Sequence, residues 1–277
     1  MQKPINEILD FCLINIDKPA DYTSHDVVAK IKKILNAKRA GHCGTLDPMV
    51  TGVLPLLINR SCRLSNYFMK KDKKYIGKML LHADISEEEL KKHMKEFIGK
   101  IMQKPPVRSK VKRVLRERNV HEFKIIKKDG KIVEFESDVE AGTYIRKLIS
   151  DLGEKIGGAH MIELRRTKAG IFDIKDSFKI EDIEKAFKDY ENENENELRK
   201  ILIPAEIIQT ILSRVDIKEG SLNKLLHGKP LMKEDLINNK LNKDLFCVFC
   251  KERFVGVYKS IKEENEDIVA RAQFVMD

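Results

Sequence analysis

His121-Glu-Phe-Lys-Ile-Ile-Lys127, Lys128-Asp129-Gly130-Lys131 and Ile132-Val133-Glu134-Phe135-Glu136-Ser137-Asp138-Val139 follow one another without interruption. The outer segments place apolar residues at near-alternate positions, the period of a strand with one buried face, and the middle one has the composition of a hairpin turn. With Val107–Val120 ahead of it as a further strand, this stretch predicts an antiparallel meander. Working outward, Thr143–Ile156 predicts a helix that opens after Ala141-Gly142 and stops at Gly157-Gly158, and His160–Arg165 predicts another strand. On the N-terminal side Ile85–Phe97, opening Ser86-Glu87-Glu88-Glu89, predicts a helix with acids in its first turn. Lys74–His82, Val53–Ile58 and Phe11–Ile16 predict strands, Thr23-Ser24-His25-Asp26 an N-cap for a helix through Val27–Leu35, and Gly41–Pro48 a loop. Strands in runs, with helices set between them, predict an α+β fold built on a mixed, mainly antiparallel sheet.

On the C-terminal side, Glu181–Tyr190 predicts a helix, and the alternation Glu191-Asn-Glu-Asn-Glu-Asn-Glu197 an exposed loop or frayed helix end. Beyond Ile203-Pro204 the pattern changes to short strands and turns. The expected organisation is a large domain over residues 11–212 and a small β-barrel-like one over 213–277.

Composition narrows the class. With 42% hydrophobic and 35% charged residues the chain is globular, and no apolar stretch approaches the roughly 18 residues needed to span a bilayer. The N-terminal residues lack the pattern of a secretory signal, which predicts a cytosolic or nuclear setting with reduced thiols. Cys247 and Cys250 have the spacing of half a zinc site, but they stand in a run that reads as a buried strand, where positions three apart face opposite sides. Buried thiols are the expectation there.

The net charge of +9 is unevenly spread. Residues 1–180 carry 37 Lys/Arg against 24 Asp/Glu, and the remainder carry 16 against 20. Lys104–Arg118 holds seven cations and one anion, with Val107, Val111, Val114 and Leu115 between them. An ordered strand presenting a basic face to a polyanion is one reading, and a solvated surface strand the other. Tryptophan is absent and aromatics are 6%, so contacts to the shape and backbone of a nucleic acid are favoured over stacking platforms.

No Walker loop, dinucleotide fingerprint or His-Glu-x-x-His helix is present, so cofactor-free and metal-free chemistry is expected. Asp47, in a glycine-flanked loop with Pro48 after it, is suited to act as nucleophile or base if a cation orients it. An Asp before Pro is also a common turn residue. Arg165-Arg166 reads as a phosphate contact or as a salt-bridged strand end, and His160 as a structural histidine.

Seven motifs occur in order: Asp17-Lys18-Pro19; Thr23-Ser24-His25; Gly41-His42-Cys43-Gly44-Thr45-Leu46-Asp47-Pro48; Thr51-Gly52-Val53-Leu54; Lys74-Tyr75; Ala141-Gly142-Thr143-Tyr144-Ile145-Arg146; and Gly158-Ala159-His160-Met161 with Glu163-Leu164-Arg165-Arg166-Thr167. Together they resemble the TruB-type pseudouridine synthases. Lys104-Pro105-Pro106-Val107-Arg108-Ser109, and the short link from His82 to Ile85 where bacterial relatives carry an RNA-clasping insertion, resemble the archaeal and eukaryotic guide-RNA-dependent, dyskerin-like branch. Cys43 departs from the Gly or Ser usual in that branch.

The resemblance implies that Asp47 is the catalytic carboxylate and that Arg146 pairs with it. It implies that Tyr75, Tyr144 and Leu164 form the base pocket, that His42 supports nucleotide flipping, and that Lys18 buttresses the Asp47 loop. No cofactor is implied. The implied partners are an RNA substrate (rRNA or tRNA), an H/ACA guide RNA and small accessory proteins, with no membrane association. The implied compartment is the cytoplasm for an archaeal host and the nucleolus for a eukaryotic one. Stand-alone modification of the tRNA T-arm, and a non-catalytic scaffold of the same fold, are the competing readings. Val215–Ser221 and Leu226–Leu231 resemble the opening of a PUA domain, although Lys233-Glu234-Asp235 replaces the usual Pro-Gly.

Overall fold

The computed structural model describes residues 3–105, 112–238, 241, 243–261 and 267–276. The chain divides into two compact units, Leu13–Leu202, and Met1–Cys12 with Ile203–Asp277. The helix α1 (Ile5–Asp10) belongs to the second of these, and β1 (Phe11–Lys18) leads from it into the first. Then follow α2 (Ser24–Ile34), β2 (Ala40–His42), β3 (Thr51–Asn59), α3 (Ser65–Met69), β4 (Lys73–Leu81), α4 (Glu87–Lys95), β5 (Gly99–Gln103), β6 (Arg116–Asp129) and β7 (Ile132–Val139). The first unit ends with α5 (Ile145–Lys155), β8 (Ala159–Ala169), β9 (Phe172–Asp173), α6 (Ile180–Glu191) and α7 (Asn196–Ile201).

Its sheet runs β1-β3-β8-β4-β7-β6-β5, with β2 added to β3 and β9 to β8. The β4, β7, β6 and β5 neighbours are antiparallel, as are β4 and β8, while β3 and β8 are parallel. The expected meander is therefore present, but its first two members are one strand. Arg116–Asp129 is continuous, with register shifts after Val120 and Ile125 that absorb the breaks in the apolar alternation. Asp129 pairs with Ile132 across the two-residue loop Gly130-Lys131. Of the strand expected over Val107–Val120, residues 107–111 lie outside the described ones. Lys112–Leu115 form no strand, and Val114 and Leu115 are exposed, so the ordered basic strand is shorter than expected.

Local chemistry sets the helix starts. Thr23 caps α2 by accepting from the Asp26 N–H, and Asp26 accepts in return from the Thr23 N–H, a reciprocal box that fixes the chain direction just before the Asp47 loop. Ser86 caps α4 by accepting from the Glu89 N–H at 3.2 Å, which limits the link between β4 and α4 to His82–Ser86. Buried Leu148, Ile149 and Leu152 seat α5 against the core. The Gly41–Pro48 loop is shorter than expected, because Ala40–His42 pairs with Leu56–Ile58. Glu191 ends α6, and α7 begins at Asn196, inside the low-complexity alternation.

The second unit continues through β10 (Ile203–Pro204), β11 (Ser213–Asp216), α8 (Leu222–Leu226), β12 (Leu231–Met232), β13 (Leu245–Cys250), β14 (Arg253–Ser260) and β15 (Ile268–Val275). Its sheet, ordered β11-β13-β14-β15-β12, is the curled small β unit expected of the PUA type. Phe246, Val248 and Cys250 share its core with Val255 and Tyr258, and α8 contributes Leu225. Cys247 faces the other way and its thiol, pushed up to about 11 by burial, donates to the Ser213 carbonyl at 3.4 Å. Both cysteines are buried thiols, as the alternation predicts.

Candidate active site

Asp47 sits on the loop between β2 and β3, and what holds that loop is mostly buried. Lys18, with no exposed surface, donates from Nζ to the carbonyls of Pro19 at 2.7 Å, Tyr22 at 2.6 Å and Pro48 at 2.9 Å. All three hydrogens of the ammonium are thus spent on backbone, one directly after Asp47. Burial pushes the Lys18 amine down from its ordinary value, while Asp21, Asp26 and Asp47 act in the opposite direction. Ser24, in the first turn of α2, accepts from the Leu46 N–H at 2.9 Å and donates to the Leu46 carbonyl at 3.2 Å.

A second buried cation works from β8. Arg166, 1% exposed, donates from Nε to the Val53 carbonyl at 2.7 Å and from Nη2 to the Gly44 carbonyl at 3.1 Å. Its own backbone lies so close to β3 that a Cβ on Gly52, whose φ is +100°, would come within 2.2 Å of the Arg166 oxygen. Only glycine fits that approach. Arg165, next in sequence but on the other face, donates to Asp17 at 2.7 Å and to Thr51 at 3.3 Å. The open reading of Arg165-Arg166 resolves into one salt-bridged strand end and one buried brace.

Above the loop the environment is wet. Arg146, in the first turn of α5, meets the Asp47 carboxylate at 2.5 Å, with side chains 49% and 54% exposed respectively. These two residues, 99 positions apart, are brought together as expected. Tyr144 is the half-buried N-cap residue of α5. Its backbone is gripped from β5 by Gln103, which accepts from its N–H at 3.0 Å and donates to its carbonyl at 3.3 Å.

Tyr75 and Leu164 are buried on neighbouring strands. Tyr75 stands opposite Arg166 on one side and Ser137 on the other, and Leu164 opposite Gly77. Gly52, Arg166 and Tyr75 therefore lie in one row across β3, β8 and β4, which carries the row from the end of the Asp47 loop to the tyrosine. His42 ends β2, its ring edge-on to His25 at 5.5 Å between centroids. Its Nδ1 is buried and has no hydrogen-bond partner among the described residues. Burial first, then His25 and Arg166, push its pKa below the ordinary value, which favours a neutral ring. Cys43, where the family pattern has a smaller residue, is buried with its thiol pushed up to about 12, an inert filler of the loop.

Several site residues escaped the reading of the sequence. Ser24 and Gly52 lay inside quoted motifs but carried no role. Gln103 had no local signal, because its task depends on a segment 41 residues away. His160 pairs with His82, ring nitrogens 2.8 Å apart, in agreement with a structural part. Among the described residues no group of three or more His, Cys, Asp or Glu is placed to hold a metal ion.

The arrangement is a carboxylate on a braced loop, charge-paired with an arginine, beside a row that includes a buried tyrosine. Residues 32–145 match the TruB family pseudouridylate synthase N-terminal domain, and residues 146–209 the tRNA pseudouridylate synthase B C-terminal domain. The "Probable tRNA pseudouridine synthase B" of Methanocaldococcus jannaschii is 42% identical over 229 residues, 82% of this chain and 68% of that protein. The protein of the same name from Pyrococcus abyssi is 39% identical over 276 residues, 96% of this chain and 82% of the relative. A crystal structure of a Cbf5-Nop10-Gar1 complex contains a chain 37% identical, with a TM-score of 0.90 over 99% of this chain and 87% of that one. An H/ACA RNP bound to a substrate RNA containing 2′-deoxyuridine gives 35% identity and a TM-score of 0.88, covering 99% and 87%. The chain belongs to the TruB family and is an RNA pseudouridine synthase.

Proposed function

We propose that the chain is the catalytic subunit of a guide-RNA-dependent pseudouridine synthase that isomerises uridine in structured RNA, with rRNA or tRNA as the substrate. The Asp47–Arg146 pair carries the catalytic part of the proposal. A guanidinium at hydrogen-bond distance keeps the carboxylate oriented. Asp47 attacks C1′ of an everted uridine, forming an ester bond that breaks when C1′ rejoins the base, or takes a proton from C2′ and returns it at that step. The bond from C1′ to N1 breaks, the uracil turns, and C1′ rejoins at C5 while the C5 proton is lost and N1 gains one. Tyr75, Tyr144 and Leu164 hold the base through the turn, and His42 supports eversion, since a stacked nucleotide leaves its glycosidic bond out of reach. Lys18 holds the loop. Residues 11–212 form the catalytic domain and 213–277 the PUA-like one.

The guide-dependent part draws support from similarity over 99% of the chain to the Cbf5 subunit of a complex with Nop10 and Gar1, and from the short link His82–Ser86. On this reading the partners are an H/ACA guide RNA and small accessory proteins. The name shared by the archaeal relatives favours a second reading, stand-alone modification of tRNA. One assay separates them: release of tritium from RNA labelled at uridine C5, with tRNA alone and after addition of a guide RNA and accessory proteins. At least about tenfold faster turnover with the additions is expected, and full turnover on tRNA alone with no gain overturns guide dependence.

A further inference from the structure

A cavity of about 80 Å³ beside the start of α5 is lined by Gln103, Pro105, Arg116, Arg118, Gly142 and Tyr144. None of the roles above uses its two arginines. Arg116 and Arg118 stand two apart on β6, opposite Gln103 and Ile101 of β5, so both side chains leave the same face of the strand. The Arg116 Nε is buried and has no hydrogen-bond partner among the described residues. Buried donors in folded proteins are nearly always satisfied, and an orphaned guanidinium nitrogen on a residue that lines a cavity marks a place for an acceptor from outside the chain.

The charge has the matching sign. Arg116 makes no ion pair among the described residues. Arg118 donates from Nη1 to the Glu117 carbonyl at 2.9 Å, and the same nitrogen lies 3.9 Å from a Glu140 oxygen. The other Glu140 oxygen accepts from the Asn119 N–H at 2.9 Å. Two guanidiniums against one carboxylate leave one net positive charge. Gly142, with φ of +87°, lets the Arg118 guanidinium lie against the backbone, since a Cβ there would come within 3.2 Å of Nη2.

We propose that this cavity receives one phosphodiester group of the substrate RNA, on a nucleotide next to the uridine that is modified. The inference rests on the chain's action on RNA and assigns a subsite to it. A single net positive charge matches the single negative charge of a phosphodiester, and Arg116 and Arg118 close the densest run of cations in the sequence. Tyr144 forms one wall and stands two residues before Arg146, which holds Asp47, so an anchored phosphate sets the strand's register at the carboxylate.

The test uses the full chain and an RNA that it converts, with guide and accessory proteins where turnover needs them. Arg116→Met is expected to raise KM about tenfold with kcat changed less than about twofold, as for one lost charge-assisted contact. The slope of log RNA affinity against log salt should fall by about 0.7–0.9, one phosphate contact's worth. Arg116→Lys should recover most of the slope, and matched melting curves exclude misfolding as the cause. Substrates carrying one uncharged methylphosphonate at successive linkages supply the decisive arm. At one linkage the methylphosphonate should reproduce in the wild type the loss caused by Arg116→Met, and cost Arg116→Met nothing further.

Unchanged KM and slope in Arg116→Met, or losses that multiply at every linkage, overturn the proposal. So does an outcome in which 10 mM inorganic phosphate alters wild-type but not Arg116→Met turnover and no linkage matters, since the site would then serve a free anion. A wild-type chain that binds RNA without converting any would sink the enzymatic reading, while the slope and linkage arms would still decide this one.

Discussion

The Asp47 loop meets cations on two sides, and the two sides differ in almost everything except charge. Below it, Lys18 and Arg166 are buried and donate only to backbone carbonyls. Above it, Arg146 is half exposed and bonds a side-chain carboxylate. A buried cation that answers carbonyls acts as scaffolding, because removing it strands acceptors that water cannot reach. An exposed cation on a carboxylate adds little to stability, since solvent screens the pair, yet it fixes the direction of a reactive group. The loop therefore separates its structural charges from its chemical one by depth.

The sharpest way to break this comparison is at the top. Asp47→Asn should lower single-turnover isomerisation by about 10³-fold or more while leaving RNA affinity within about threefold. Its melting temperature should stay close to wild type, as expected for a screened pair. A variant that keeps turnover, or that loses folding together with it, would erase the distinction between the two sides.

The bottom of the loop predicts the opposite pattern. Lys18→Met strands the carbonyls of Pro19, Tyr22 and Pro48, and should cost about 2–4 kcal/mol of stability, read as a lowered denaturant midpoint. Turnover measured on the folded fraction should fall far less than in Asp47→Asn. If Lys18→Met melts like wild type but is inactive, Lys18 belongs with the chemistry instead.

The smallest expected effect concerns Lys73, at the start of β4. It is 6% exposed, donates to the Met69 carbonyl at 2.5 Å and to that of Lys71, and is pushed down to about 8, chiefly by burial and then by Arg166. The unfolded amine titrates near 10.5, so between about pH 8 and 10.5 the unfolded chain binds more protons. Lys73 therefore contributes stability that rises with pH across that window, and its burial penalty is complete below about 8. The wild-type denaturant midpoint should rise relative to that of Lys73→Met between pH 8 and 10, and a constant difference would remove Lys73 from the set of costly buried cations.

Much of this was legible in the sequence, for reasons that can be named. The hairpin around Gly130 and the Thr23 cap depend on residues within a few positions of each other, which is where local physics is strongest. Asp47 and Arg146 were found through ordered motifs, since neither residue alone is distinguishable from a turn aspartate and a surface arginine. The helices α1, α3, α7 and α8 escaped because five or six residues hold too little periodicity to register. β2 escaped because its glycine disguises a strand that exists only through its pairing with β3. Gln103 was invisible, and Arg116 stood out only as one cation of a basic run, for a different reason: their partners, or lack of them among the described residues, are set by tertiary approach.

The parallel junction of β3 and β8 consists of two register pairs, Thr51 with Arg165 and Gly52 with Arg166. That short seam stitches the strands framing the carboxylate to those presenting Tyr75 and Leu164. A slip of one residue there during synthesis would preserve each half while misaligning them, giving chains that are compact and yet inert. Specific activity per folded molecule thus doubles as a gauge of how faithfully the two halves were sewn.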